Sequence, residues 1–374
     1  MKVAFVYDRV NKFGGAERVL LALHEIWPKA PLYTAFYDRK NASWSSVFDV
    51  RPSIANSIPL AKNNHELFAW ITGFSFEQFC FDEYDVVISI TSAEAKSIIT
   101  KHNTLHVCYC LTPTRYLWSG HDEYIDNPSM GISSNMASWG LKRSARLLRK
   151  WDMIASSRPD KYIAISNIVK DRIIKYYKRN VDSIIYPPVD LEIFNNQKSK
   201  NLTTSDYYLT VSRFVGYKRL DIIIDAFNKL GWPLVVIGSG KNEKTLKNKS
   251  ASNIKFIDSR LTDSNLVNYY YSCKAFVFAG SEDFGLVAVE AQSLGKPVIA
   301  YANSGISDIV IDEVTGLLFK KQNSTSLINA LKRSKYLEFD KLKCQKNAAR
   351  FGKSVFKRSF FDFIEKSYQN KIQK

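Results

Sequence analysis

Glu282 and Glu290 stand eight positions apart in "GSEDFGLVAVEAQSLGKPVIAY" (280–301), around a Phe-Gly pair at the end of the apolar run "AFVFAG". Two carboxylates that flank a strand-to-helix turn can act as an acid and base, as metal ligands, or as hooks for a ligand's hydroxyls. On a continuous helix this spacing would part the two Cα atoms by about 12 Å along the axis. That is too far for a shared proton or a dinuclear metal site. Separate roles are therefore expected, with Glu282 in the loop at the strand's carboxyl end and Glu290 two turns into the helix. Between them, the N–H groups of Gly285 and Leu286 face a phosphate or sugar oxygen. The neighbours of Glu290 are mostly apolar, which favours a ligand hook or a buried pair over a surface carboxylate.

A second group lies upstream. In "VSRFVGYKR" (211–219) Arg213, Lys218 and Arg219 fall at the end of a predicted strand and the start of the next helix. Cations there can clamp a diphosphate and offset charge building on a leaving group. A solvated helix start is the alternative, but a basic first turn opposes the helix dipole. Gly14 and Gly15 separate the first strand from the first helix, where missing side chains let a backbone approach a ligand; a plain tight turn explains them equally well, since the stretch is not GxGxxG.

The elements that must position these residues follow a strand-helix rhythm. "KVAFVYD", a glycine turn and "AERVLLALHEIW", apolar at Val19, Leu20, Leu23 and Ile26, make a βα unit. "PLYTAFY", "YDVVISIT", "LHVCYCLT" and "KYIAISN" read as further strands with helical stretches between them, such as 162–178. Continuous apolar strands suit a parallel sheet covered on both faces. Pro187 and Pro188 interrupt the pattern and mark a linker. The rhythm then restarts: "DYYLTVSRF", "KRLDIIIDAFNKL", "PLVVIGSG", "IKFIDS", "DSNLVNYYYSC", "AFVFAG", a helix from about Gly285 to Leu294, "KPVIAY" and "GLLF". The expected fold is α/β, two Rossmann-like doubly wound domains facing across a cleft, residues 1–187 and 188–353. The amphipathic segment 354–374 is expected to pack back on the first domain.

The bulk composition is that of a globular chain, with 374 residues, 45% hydrophobic and 13% aromatic. Five scattered cysteines without metal spacing suggest a reducing compartment. No run reaches the roughly 20 apolar residues of a membrane span, and the N-terminus does not read as a secretory signal, so a cytoplasmic location is expected. A formal net charge of +17 attracts phosphates of any origin. A nucleic-acid binder would carry that charge too, yet no RNP-type strand, helix-turn-helix or zinc-finger spacing accompanies it.

Taken in order, "GGAERVL", "CYCLTPTRYLW", "YIAISNIVKDRI", "IIYPPVD", "SRFVGYKRLDIIIDAF" and "SEDFGLVAVEAQSLGKPVIAY" resemble the retaining GT-B glycosyltransferases with a Glu, seven residues, Glu signature. Within that family the chain is similar to bacterial mannosyltransferases of O-antigen and lipopolysaccharide synthesis. The resemblance implies that Arg213 and Lys218 bind the donor diphosphate, Glu282 the donor sugar's hydroxyls and Glu290 the ribose 2′ and 3′ hydroxyls. It implies that Gly15 lets the first domain close over the phosphates while the N–H groups around Phe284, Gly285 and Leu286 complete the cradle. No metal or cofactor is implied; the nucleotide sugar, GDP-mannose, is a substrate, and no DxD-type motif stands near the sugar site. A hexose would pass with retention to a polyprenyl-diphosphate-linked oligosaccharide. Relatives carry a histidine in the loop where this chain has Leu111, and His106 is expected within the preceding strand. Gly14, Thr112, Thr114 and Arg115 are candidates for acceptor or sugar contacts.

In "WGLKRSARLLRKW" (139–151) Leu141, Ala145, Leu148 and Trp151 fall near one helical face, ringed by Lys142, Arg143, Arg146, Arg149 and Lys150. This fits either a helix lying on an anionic membrane or a core-facing helix with a basic rim. "HELFAWITGFSFEQF" adds apolar residues that serve either purpose. The resemblance favours the membrane, at the inner face of the cell membrane, with the protein attached peripherally. Other readings in the same enzyme class are transfer from a UDP-sugar, a sugar-nucleotide epimerase or a phosphorylase.

Overall fold

The computed structural model describes residues 1–58, 69–121, 134–196, 205–258 and 261–373. The chain divides into two compact units, Met1–Tyr186 with Phe356–Lys374, and Pro187–Val355. Each is a parallel sheet with helices, the expected α/β architecture of two Rossmann-like units.

In the first unit the strands are β1 (Val3–Val10), β2 (Leu32–Tyr37), β3 (Val50–Pro52), β4 (Val86–Thr91), β5 (Leu105–Cys110), β6 (Lys161–Ala164) and β7 (Ser183–Ile184). Its helices are α1 (Gly15–His24), α2 (Ala69–Glu77), α3 (Ser134–Ser156) and α4 (Asn167–Arg172). Among the described residues the sheet order is β3-β2-β1-β4-β5-β6-β7, parallel throughout. Strands β4 and β5 are buried along their whole length, because both faces of a parallel sheet are covered and every side chain must tolerate a dry environment.

The second unit begins with the short helix α5 (Leu191–Asn196). Its strands are β8 (Tyr208–Val211), β9 (Leu234–Ile237), β10 (Ile254–Ile257), β11 (Phe276–Phe278), β12 (Val298–Tyr301) and β13 (Gly316–Phe319). The remaining helices are α6 (Leu220–Leu230), α7 (Glu243–Lys249), α8 (Asp263–Ser272), α9 (Leu286–Ser293), α10 (Ser324–Ser334), α11 (Lys341–Ala349) and α12 (Lys353–Ile372). The order is β10-β9-β8-β11-β12-β13, again parallel. Helix α6 buries Leu220, Ile223, Ile224 and Phe227 against this sheet; burying one such side chain contributes about 1.5–3 kcal/mol.

From Phe356 onward α12 belongs to the first unit. Phe356, Phe360 and Ile364 recur every fourth residue and are buried. The rings of Phe356 and Phe360 lie 6.0 and 5.5 Å from Tyr109, and Lys371 binds Asp160 at 2.7 Å.

Several elements depart from expectation. Residues 162–164 are strand, and the helix read across 162–178 starts only at Asn167, where the Ser166 side chain accepts a hydrogen bond from Val169 N at 3.3 Å; the segment Ile173–Tyr177 then winds with a wider turn. Strand β8 stops at Val211, so Arg213 lies in the loop beyond it. Helix α3 turns Ala145 inward and leaves Leu147 and Ile154 exposed with Arg143, Arg146 and Lys150. The side chains of Trp139, Leu141 and Lys142, and those of 65–70 in "HELFAWITGFSFEQF", lie outside the described residues. No described helix is long and apolar enough to cross a membrane.

Candidate functional site

In a doubly wound sheet ligands settle at the carboxyl ends of the strands where the winding reverses. The second unit reverses between β8 and β11. Arg213 and Lys218 follow β8 and Glu282 follows β11, so the sheet order gathers residues 64 or more positions apart.

Lys218 sits in a single 3-10 turn (Gly216–Lys218), its ammonium paired with the Glu282 carboxylate. The amine also lies 4.9 Å from the Tyr217 ring and 5.7 Å from that of Phe278, a cation–π setting that holds it after partial desolvation. Arg213 is exposed and donates to the Tyr217 hydroxyl at 2.6 Å. Gly280 lets these strand ends meet: a Cβ there would fall 2.8 Å from the Lys218 Cα. Arg219, read in the sequence with the clamp, turns away. Its backbone is left-handed (φ 51°) and its guanidinium binds Asp221 at 2.9 Å, because an acid in the first turn of α6 suits both the cation and the helix dipole.

The Glu282 backbone is fixed on both sides, donating to Ser304 Oγ at 3.0 Å and accepting from Gly305 N at 2.7 Å. Helix α9 starts at Leu286, so Glu282 lies outside it. Gly285, at φ 107°, is the N-cap, and no side chain caps the first turn. Phe284 is buried with its ring 5.5 Å from Phe351, an anchor for the turn. Glu290 is 5% exposed and accepts a hydrogen bond from the fully buried Tyr270 hydroxyl at 3.0 Å. Tyr270 comes from α8 and had no signal of its own within "NYYYSC". The structure thus brings Lys218 to Glu282 and Tyr270 to Glu290, and holds the two carboxylates by separate partners.

The first unit reverses between β1 and β4. Gly14 caps α1 and Gly15 opens it. Behind them lies a buried polar network that the sequence reading did not single out. Asp8, at the end of β1, accepts from Thr91 Oγ1 at 2.7 Å and from the N–H groups of Ser92 and Ala95 at 2.8 and 2.9 Å. Tyr7 donates to Glu17 at 2.6 Å; burial, then the Glu17 charge, pushes the Tyr7 hydroxyl's pKa up. Arg9 binds Glu94 at 3.1 Å, and Tyr116 donates to the other Glu94 oxygen. Burial raises the Glu94 pKa, with Arg9 opposing. Lys96 binds Asp152 at 2.6 Å, Thr114 Oγ1 at 3.0 Å and Ala93 O at 2.6 Å. Burial works against this ammonium, but Asp152 outweighs it and its pKa is raised. Trp118 Nε1 completes the shell of Asp152 at 2.7 Å.

This network engages the side chains of two of the candidate contacts. The Thr114 hydroxyl is sealed among Lys96, Asp152 and Ala93 O, and its N–H binds Tyr177. Thr112 is also buried, 3.3 Å from Arg172. Arg115 is half-buried in the same loop. His106 lies within β5, fully buried, 2.9 Å from Ser89 Oγ, and burial drives its pKa down to about 3; Leu111 has no nearby histidine from this strand. Among the described residues no three or more His, Cys, Asp or Glu side chains cluster as a metal site.

The structure of HepE from Anabaena in complex with UDP superposes with a TM-score of 0.68 at 17% identity, covering 98% of this chain and 100% of that one. The fold is therefore of the GT-B class. Residues 192–353, within the second unit, match the family "Glycosyl transferases group 1". An uncharacterised glycosyltransferase of Methanocaldococcus jannaschii is 34% identical over 178 residues, 46% of this chain and 49% of that protein. The O-antigen chain mannosyltransferase C of Escherichia coli is 27% identical over 201 residues, 50% and 52% of the two chains. The chain spans about half the length of the curated relatives it matches.

Proposed function

We propose that the chain is a retaining, metal-independent hexosyltransferase that moves mannose from GDP-mannose to a polyprenyl-diphosphate-linked sugar in O-antigen or related surface polysaccharide synthesis. One observation carries the reading: the group 1 glycosyl transferase match, residues 192–353, encloses Arg213, Lys218, Glu282 and Glu290 together. The second unit would bind the donor and the first the acceptor.

Arg213 and Lys218 bind the diphosphate, and the N–H groups around Phe284, Gly285 and Leu286 complete its cradle. Glu290, oriented by Tyr270, takes the ribose hydroxyls. Glu282 reads the sugar. The bond from the anomeric carbon to the diphosphate breaks and one to the acceptor oxygen forms on the same face, the acceptor's proton passing to the departing phosphate. The protein's part is to position both substrates and stabilise leaving-group charge. Arg143, Arg146 and Lys150 beside exposed Leu147 and Ile154 support contact of α3 with an anionic membrane. The E. coli mannosyltransferase supports mannose, while the UDP complex of HepE supports a UDP-sugar as the second reading.

The test is incubation of purified protein with a panel of GDP- and UDP-sugars and a synthetic lipid-diphosphate sugar, with stereochemistry of the product read by NMR. GDP-mannose is expected to turn over best, and Glu290→Ala to abolish it. No turnover with any donor, or a trapped covalent glycosyl-enzyme, overturns the assignment or the front-face mechanism respectively.

A further inference from the structure

Arg213 and Lys218 serve one anionic group in the reading above, and a single aromatic side chain touches both. The Tyr217 hydroxyl accepts from the Arg213 guanidinium at 2.6 Å, and the centre of its ring lies 4.9 Å from the Lys218 ammonium. The donor chemistry gives this tyrosine no part of its own.

Of the two cations, Arg213 has more need of a hold. Lys218 is buried, paired with Glu282 and set beside Phe278, whereas Arg213 is exposed in the loop after β8. A loose arginine side chain carries rotamer freedom that a ligand must quench on binding. Its main chain is already fixed. The Arg213 carbonyl accepts from Val215 N at 3.0 Å, and Phe214, the next residue, is buried and donates from its N–H to Ser239 O at 2.8 Å. Only the side chain remains to be ordered.

Tyr217 can supply that order because its own backbone has nowhere to go. Lys218 N donates to Val215 O at 3.2 Å, and the turn presses on the chain after β11, where a Cβ at Gly280 would fall 2.9 Å from Tyr217 O. The hydroxyl takes one of the five guanidinium N–H donors. Among the described residues the Arg213 side chain makes no other hydrogen bond or ion pair, so the donors that remain can meet phosphate oxygens in pairs. A neutral phenol also orients the cation without cancelling its charge. Arg219 shows the other outcome: Asp221 holds it at 2.9 Å, and the carboxylate offsets the charge it holds.

We propose that Tyr217 is the positioning residue of the clamp, its hydroxyl aiming Arg213 and its ring aiming Lys218 at one diphosphate. The inference rests on the reading of Arg213 and Lys218 as diphosphate ligands.

The test is calorimetric binding of GDP, UDP and inorganic pyrophosphate to the full chain. Arg213→Met should weaken diphosphate binding by about thirtyfold, as for lost charge-assisted hydrogen bonds, and Tyr217→Phe by about fivefold. Added to Arg213→Met, Tyr217→Phe should change binding by less than about 1.5-fold, since the hydroxyl acts through the guanidinium. Tyr217→Leu removes the ring as well and should cost about threefold more than Tyr217→Phe. That extra loss should persist beside Arg213→Met and vanish beside Lys218→Met. A tyrosine that only supported the fold would give the same loss in every background. The inference is overturned if Arg213→Met weakens binding and Tyr217→Phe does not, or if Tyr217→Phe costs as much without Arg213 as with it. If pyrophosphate shows the expected pattern while neither nucleotide binds, the donor assignment falls and the role of Tyr217 stands. If nothing binds wild type, or if Arg213→Met and Lys218→Met both bind as wild type, both readings fall.

Discussion

Each sheet joins a lysine to a carboxylate near the strands where its winding reverses, and the two pairs differ in how far water reaches them. Lys218 and Glu282 keep 11% and 17% of their side-chain surface, whereas Lys96 and Asp152 keep 1% each. The first pair lies beside an uncapped helix start and an exposed Arg213, so its charges can be redirected to a ligand. The second is closed by Thr114, Trp118 and a backbone carbonyl, and nothing can enter without unfolding the shell. The same chemical pairing thus serves an open site in one unit and a sealed brace in the other, and desolvation is what separates the two uses.

The comparison can be broken at its sealed side first. Lys96→Met leaves Asp152 buried without its cation and is expected to destabilise the protein by about 3–5 kcal/mol in urea unfolding; a loss below about 1 kcal/mol would mean that water already reaches this pair. Lys218→Met should invert the pattern, with turnover reduced at least about a hundredfold, roughly 3 kcal/mol of transition-state stabilisation, and unfolding shifted by much less. Equal losses of stability in the two variants would erase the distinction.

His106 reports on how dry the first sheet is. Its folded pKa of about 3 lies below the ordinary 6.5, so between those values the unfolded chain binds a proton that the folded chain refuses. Stability should therefore fall as pH drops below 6.5, by about 1.4 kcal/mol per pH unit from this residue. Denaturant titrations at pH 7, 6 and 5 should show that slope in wild type and a flatter one in His106→Gln. The smallest effect is expected at Tyr270→Phe, which removes one hydrogen bond from Glu290. It should weaken donor binding by about 1 kcal/mol, roughly fivefold, with kcat little changed; a fall in kcat at constant KM would move Glu290 from holding the donor to the reacting centre.

The parts of this molecule differ in how legible they were. Glu282, Gly285 and Glu290 fall within nine residues of a strand-turn-helix, so spacing alone kept the two carboxylates apart and placed the helix start between them. The partners were hidden: Lys218 meets Glu282 across 64 residues and Tyr270 meets Glu290 across 20. In the first unit the difficulty was greater. Glu94 and Lys96 each interrupt small residues singly, Asp8 stands beside Arg9 in a strand-like run, and Asp152 directly follows the basic stretch read for its charge. Thr114 was picked as a contact because its loop matched a motif, yet its hydroxyl points into the network. Arg219 was grouped with Lys218 by adjacency, and a left-handed backbone angle sends it elsewhere.

By itself the sequence determined the two parallel α/β units and the turn between Glu282 and Glu290, because strand and helix periodicity and short turn motifs depend on interactions within a few residues. The tertiary structure alone decided which charges pair, which are sealed and which face outward. Those outcomes depend on sheet order and on desolvation, and both are set by contacts between residues far apart in the chain.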